Sequence, residues 1–222
     1  MKAMILAAGR GERMRPLTDS IPKPLLKIGG RTLVEHHLLR LKAAGISDIV
    51  INVAWLRHQI IEFLGDGSRF GVSIVYSDEG DSALETGGGI AKALPLLGHE
   101  PFWVVNGDVY AAYNFSHPGL PAGTLAHLVL VPNPEHNTGG DFALLDGKIH
   151  NTGESLLTYS GIALMRSELL AGSPGGAFPL APWLRRAADN GALTGELLTD
   201  TWSDVGTPER LRALDIQQLN PG

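Results

Sequence analysis

Apolar residues recur along the first half of the chain in two alternating rhythms. Short unbroken runs alternate with longer stretches in which apolar positions return every three or four residues. Residues 3–8 form a continuous apolar run, the pattern of a central parallel strand covered on both faces. Residues 48–53, 72–76 and 102–105 read as further strands. Between them, Thr32-Leu33-Val34-Glu35 has the spacing of a capping box. The helix it opens carries Val34, Leu38 and Leu41 on one face and ends at Gly45. Residues 56–64 and 86–97 are the next helices. Strand–helix alternation of this kind predicts a parallel sheet with helices on both sides and right-handed crossovers. Residues 9–30, polar and rich in proline, read as a long loop.

The second half changes character. Residues 125–131 and 158–165 read as strands. Residues 142–145 and 148–150 flank Asp146-Gly147, a hairpin turn signal. Residues 179–188 read as a helix and 196–205 as extended. Thr207-Pro208 starts a last helix, with Thr207 as N-cap and proline at the first helical position. No linker, repeat or low-complexity tract divides the chain. The expectation is a single domain over 1–222, with a first half to about residue 110 and a smaller mixed lobe from about residue 111.

Composition narrows the chemistry. The chain has 222 residues, 44% of them hydrophobic and 18% charged, a globular balance with enough length for a substantial core. It has no cysteine. Disulfides, thiolate zinc sites, iron–sulfur clusters and a cysteine nucleophile are thereby excluded. A formal net charge of -5 argues against nucleic acid as a partner. It leaves phosphate substrates open, since local cations and a metal outweigh a weak global field. No run approaches the ~18 apolar residues of a membrane span, and the short N-terminal apolar run reads as a buried strand. A cytoplasmic protein that binds neither membrane nor nucleic acid is the expectation.

Candidate chemistry begins where the first strand ends. Gly9-Arg10-Gly11-Glu12-Arg13-Met14-Arg15-Pro16-Leu17-Thr18 leaves its carboxyl end, the edge where open α/β sheets bind ligands. Glycines let backbone N–H groups approach phosphate oxygens. Arg10, Arg13, Arg15 and Lys23 together suit a triphosphate. The stretch is not a dinucleotide fingerprint, because Met14 stands where the third glycine belongs, and it lacks the Gly-Lys-Ser/Thr of a P-loop. Asn106-Gly107-Asp108 ends another apolar strand. Asp204 lies just before the last helix. Two carboxylates with phosphate oxygens and water suit magnesium, which takes few protein ligands. Leu84-Glu85-Thr86-Gly87-Gly88-Gly89 opens a helix whose glycines permit close approach to a flat base. The eight histidines show no metal-ligand spacing.

Leu6 to Thr18 followed by Pro22-Lys23-Pro24-Leu25 resembles the signature of the sugar-1-phosphate nucleotidylyltransferases. Trp202-Ser203-Asp204-Val205-Gly206-Thr207-Pro208 also resembles a pattern of that family. The resemblance spans nearly the whole chain. It implies a Rossmann-like, mostly parallel mixed sheet flanked by helices, of the nucleotide-diphospho-sugar transferase type, with a smaller sugar-binding lobe. It implies transfer of a nucleoside monophosphate from UTP or another triphosphate to a sugar 1-phosphate, with Mg2+ as cofactor and pyrophosphate released. Carried over residue by residue, Arg13 and Lys23 are the catalytic cations. Ala8, Gly9, Gly11, Glu12, Arg13, Lys23, Thr86, Gly87 and Asn106 hold the nucleotide. Gly140 and Glu154 hold the sugar, and Asp108 and Asp204 the metal. Glu12 stands where the family usually has threonine. Glu154 is followed by Ser155-Leu156 rather than Lys-Pro, and no base-reading glutamine is evident near Asp78-Glu79-Gly80. Two other classes remain: a nucleotide-binding regulator without turnover, and a glycosyltransferase. Against the latter, Tyr110 replaces the second acid of an Asp-x-Asp.

Overall fold

The computed structural model describes residues 1–219. In chain order they form β1 (Lys2–Leu6), α1 (Leu17–Ser20), β2 (Lys27–Ile28), β3 (Arg31–Thr32), α2 (Leu33–Ala43), β4 (Asp48–Val53), α3 (Arg57–Leu64), β5 (Ser73–Asp78) and α4 (Glu85–Leu97). There follow β6 (Phe102–Asn106), β7 (Val109–Ala111), β8 (Ala126–Val131), β9 (Ala143–Leu145), β10 (Lys148–His150), β11 (Thr158–Met165), α5 (Ala181–Asp189), β12 (Leu193–Leu197), β13 (Trp202–Asp204) and α6 (Pro208–Leu219).

A nine-stranded sheet, ordered β5-β4-β1-β6-β11-β8-β12-β10-β9, runs through both halves. The first four strands are parallel neighbours. β11 lies antiparallel between β6 and β8, β12 is parallel to β8, and β10 and β9 continue antiparallel to the edge. The apolar runs sit here because strand residues alternate faces and both faces are covered. Ala3 and Ile5 of β1, Ile49 and Ile51 of β4, and Trp103 and Val105 of β6 pack with Leu38 of α2 and Ile60 of α3. The intervening Met4, Val50, Phe102 and Val104 pack with Ile90 of α4 and Leu184 of α5.

Local signals explain the ends. Thr32 accepts from the Glu35 amide while the Glu35 carboxylate accepts from the Thr32 amide, completing the capping box. Asp146 and Gly147, at φ 49° and 74°, make the β9–β10 turn that requires two positive φ values. Thr207 Oγ1 accepts from the Arg210 amide, 3.4 Å away.

Two stretches depart from the sequence expectation. Residues 9–30 are not one open loop. They hold a 3-10 turn (Glu12–Met14), α1, a second 3-10 turn (Lys23–Leu25) and β2, which pairs with β3 just beyond them. Met14, Leu26 and Ile28 anchor them in a small cluster with Tyr110, Val205 and Leu214. Residues 196–205 are not one extended segment either. The Leu198 amide still bonds to Leu130, but from Thr201 the chain leaves the large sheet, and β13 pairs antiparallel with β7. Among the described residues, no helix is long and apolar enough to cross a membrane.

Candidate active site

Four parallel strands end side by side, and each delivers a polar group to one edge. β5 leads into Glu79, β4 ends near Asn52, β1 leads into Ala7, Ala8 and Gly9, and β6 ends at Asn106 before Gly107 and Asp108. These residues line one cleft of about 370 Å³, with Gly11, Glu12, Arg13, Lys23, Glu85, Thr86 and Gly206. That volume lies within the range of small-molecule sites.

The glycine loop divides its cations. Arg10 lies over the Trp55 ring at 4.0 Å and pairs with Asp19 at 3.2 Å. Arg15 pairs with the same carboxylate at 2.9 Å. Arg13 faces the cleft with no ion-pair or hydrogen-bond partner among the described residues. Lys23 is only 7% exposed and donates to Asp108 Oδ2 at 2.6 Å. Gly11, at φ 68°, lets the loop fold onto Thr18, whose hydroxyl donates to the Gly11 carbonyl at 2.8 Å. The turn that presents Lys23 is thus fixed from below.

Asp108 and Asp204 come from opposite halves of the chain. Antiparallel pairing aligns Asp204 with Val109, and the Val205 amide donates to the Asp108 carbonyl at 2.8 Å. Gly107 is tightly enclosed: a Cβ there would lie 2.5 Å from the Leu6 carbonyl oxygen. Asp204 Oδ1 accepts from Arg210 Nη1 at 2.5 Å and lies 3.1 Å from His136 Nε2. It lines a second cleft, of about 420 Å³. Asp108 Oδ1 and Asp204 Oδ2 have no hydrogen-bond partner among the described residues. No group of three or more His, Cys, Asp or Glu that could hold a metal occurs among those residues. Two carboxylates, each with one oxygen unpartnered, fit magnesium, which keeps several waters, better than a metal that needs a full protein cage.

Other sequence-derived site residues are placed differently. Thr86 lines the first cleft, but Gly87 does not. A Cβ on Gly87 would lie 2.5 Å from the Phe178 ring, and one on Gly88 would lie 2.1 Å from the Gly176 carbonyl oxygen. The triple glycine therefore admits a neighbouring protein segment rather than leaving an open face. Gly140 and Glu154 line neither cleft. Gly140 packs on Leu156 at φ 66°, and Glu154 is exposed.

Asn52, Glu79 and Glu85 line the first cleft and were not singled out from the sequence. Asn52 accepts from the Ala7 amide at 2.7 Å and donates to Glu79 Oε1 at 2.7 Å. Glu79 Oε2 accepts from the Leu84 amide at 2.6 Å. These bonds tie β1, β4 and the start of α4 together beneath the cleft. An asparagine inside an apolar strand was the available signal, because buried polar groups persist where they are bonded. Glu85 stands at φ 59°, a conformation unusual for a residue with a side chain.

Residues 2–118 match the nucleotidyl transferase family model, and the chain belongs to that family. It is 52% identical over 221 residues to the N-acetylmuramate alpha-1-phosphate uridylyltransferase of Neisseria meningitidis, covering 96% of each chain. It is 37% identical over 234 residues to the enzyme of the same name from Caulobacter vibrioides, covering 97% of this chain and 96% of that one. A solved Bacillus anthracis structure, described as a candidate glucose-1-phosphate thymidylyltransferase in complex with sucrose, superposes with a TM-score of 0.85. It covers 100% of this chain and 96% of its own at 23% identity, a likeness of fold.

Proposed function

We propose that the protein transfers uridylate from UTP to N-acetylmuramate 1-phosphate, with magnesium, releasing pyrophosphate and forming UDP-N-acetylmuramate. The observation that carries the reading is the convergence of Arg13, Lys23 and Asp108 in one cleft at the carboxyl edge of the sheet. The near full-length likeness to two uridylyltransferases supports the choice of base and sugar.

The acceptor's phosphate oxygen attacks the α-phosphorus of UTP. A new P–O bond forms there, the bond to the bridging oxygen of the β-phosphate breaks, and pyrophosphate leaves. The nucleophile is largely ionised at neutral pH, since a phosphate's second pKa is ~6, so no general base is needed. The barrier falls through positioning and charge stabilisation. In this reading the loop amides from Gly9 to Glu12 hold the triphosphate, and Arg13 meets its outer charge. Lys23 moves from Asp108 onto the transferred phosphate, where its charge counts most in the transition state. Asp108 and Asp204 would hold magnesium, which would supply charge neutralisation on the phosphates. UDP-N-acetylmuramate is a cell-wall precursor, which fits a role in peptidoglycan recycling, and supply of UTP fits a cytoplasmic setting.

Pyrophosphate release with magnesium, measured for UTP, CTP, dTTP and GTP against a panel of sugar 1-phosphates, tests this. The expected result is fastest release for UTP with N-acetylmuramate 1-phosphate. Equal or faster release with glucose or mannose 1-phosphate, or with phosphocholine, would overturn the choice of acceptor. No release with any pair would overturn the enzyme reading in favour of a nucleotide-binding regulator.

A further inference from the structure

The second cleft opens beside the first, and the two meet at residues 204–206. Asp204 lines one, Gly206 lines the other, and the Gly206 amide donates to the Asp204 carbonyl at 2.8 Å. Among the residues lining the second cleft, Arg210 is the one bearing a guanidinium or ammonium group. It leans on Asp204 through Nη1 alone, and the same Nη1 lies 3.0 to 3.1 Å from both ring nitrogens of His136. A guanidinium carries five N–H donors. Those on Nη2 and Nε have no partner among the described residues. The backbone is cut back to admit this side chain: a Cβ on Gly206 would lie 2.4 Å from Arg210 Nη2. A fork of free donors in the cleft, beside the Asp204 carboxylate, is a seat for a planar or tetrahedral oxyanion. Glu135 and Asp200 also line the cleft, so the guanidinium end is where an anion is welcome. The Trp202 indole is held by its N–H bond to the Ser160 carbonyl at 2.9 Å and gives an apolar wall for a sugar ring.

We propose that Arg210 binds the phosphate of the acceptor sugar 1-phosphate, with the second cleft as the acceptor's seat. This rests on the transferase reading above. The choice of phosphate over the lactyl carboxylate of N-acetylmuramate follows from place. Arg210 touches Asp204, the residue nearest the junction of the two clefts, and the reacting phosphate is the acceptor group that must reach that junction. Asp204 holds the guanidinium in position until the acceptor arrives.

Calorimetric titration of the metal-free protein with N-acetylmuramate 1-phosphate and with N-acetylglucosamine 1-phosphate tests it. The second sugar lacks the lactyl carboxylate. In Arg210→Gln, affinity for both is expected to fall on the order of tenfold or more, as when a charge-assisted hydrogen bond is lost. Arg210→Lys is expected to fall between, keeping the charge but not the fork. The acceptor KM should rise in step while the UTP KM and the melting temperature stay put. Unchanged affinity in Arg210→Gln would overturn the proposal. A loss confined to N-acetylmuramate 1-phosphate would overturn it too, by assigning Arg210 to the carboxylate. A wild-type protein that binds both sugars through Arg210 yet releases no pyrophosphate would sink the transferase reading and leave the assignment of Arg210 standing.

Discussion

Lys23 is a cation held beneath the surface against one carboxylate. A buried pair of this kind is weak evidence for stability, because desolvation offsets most of the attraction. Its place in the cleft with Arg13 argues for a catalytic charge instead. Lys23→Ala is expected to lower kcat on the order of a hundredfold or more, the cost of one transition-state donor. Steady-state assays at saturating UTP check this, and near-normal turnover would remove Lys23 from the mechanism. His37 is also buried, on α2, and its Nε2 has no partner among the described residues. Burial lowers its pKa to about 4, helped by His36 and opposed by the Asp108 charge. The unfolded histidine titrates near ~6.5, so below that pH the unfolded chain binds a proton that the folded one refuses. Stability from this group is complete above ~6.5, falls as the pH drops, and stops falling near 4. Between pH 7 and 5 the wild type should lose about 2 kcal/mol more than His37→Gln, as read by urea unfolding at each pH. Equal losses would contradict the assignment.

Elements were legible where one rhythm was long enough to read. β1, β4 and β6 are dominated by apolar residues because both faces are covered, with Asn52 the polar exception inside β4, and α2 carried its own capping box. β7 was not legible, and β13 was read only as part of a longer extended stretch, since three residues give no periodicity and their pairing joins segments about ninety positions apart. That ribbon is nonetheless what aligns Asp204 with Val109, the residue after Asp108, so the acids could be named from the motifs but this register could not be derived. The part of the glycine loop that lines the first cleft was readable because Gly9, Gly11, Arg13 and Lys23 lie in one stretch. Asn52 and Glu79 were missed because they reach the cleft from separate strands. The triple glycine was read as an open face for a base, whereas it seats α4 against residues 176–178 and the Asn52–Glu79 pair. Gly88→Ala, whose Cβ would meet backbone, is expected to lower the melting temperature by several degrees, corresponding to about 1–3 kcal/mol of overpacking. Gly9→Ala, with open space around its Cβ, should leave it nearly unchanged. Similar thermal melts for the two would contradict the packing role.

At the scale of the molecule, one sheet carries two clefts that share a border. The parallel strands β5, β4, β1 and β6 supply the edge that carries the first cleft. β7 and β13 stand off the large sheet and bring residues 204–206 across to it. Each of the two aspartates is held by a cation from another element, Lys23 on Asp108 and Arg210 on Asp204. In the proposed reaction, arrival of metal and phosphates would exchange these partners, the carboxylates turning to the metal and the cations to the phosphates. Net charge within the site would then be compensated before and after binding, which would limit the electrostatic cost of bringing a triphosphate into a chain of formal charge -5.

The most direct test is diffraction from crystals grown with UTP and manganese in place of magnesium, recorded at the manganese absorption edge. The expected result is one anomalous peak bonded to carboxylate oxygens of both Asp108 and Asp204, with the α-phosphate beside Lys23. A manganese ion held by one of the two aspartates alone, or seated away from Lys23, would contradict it.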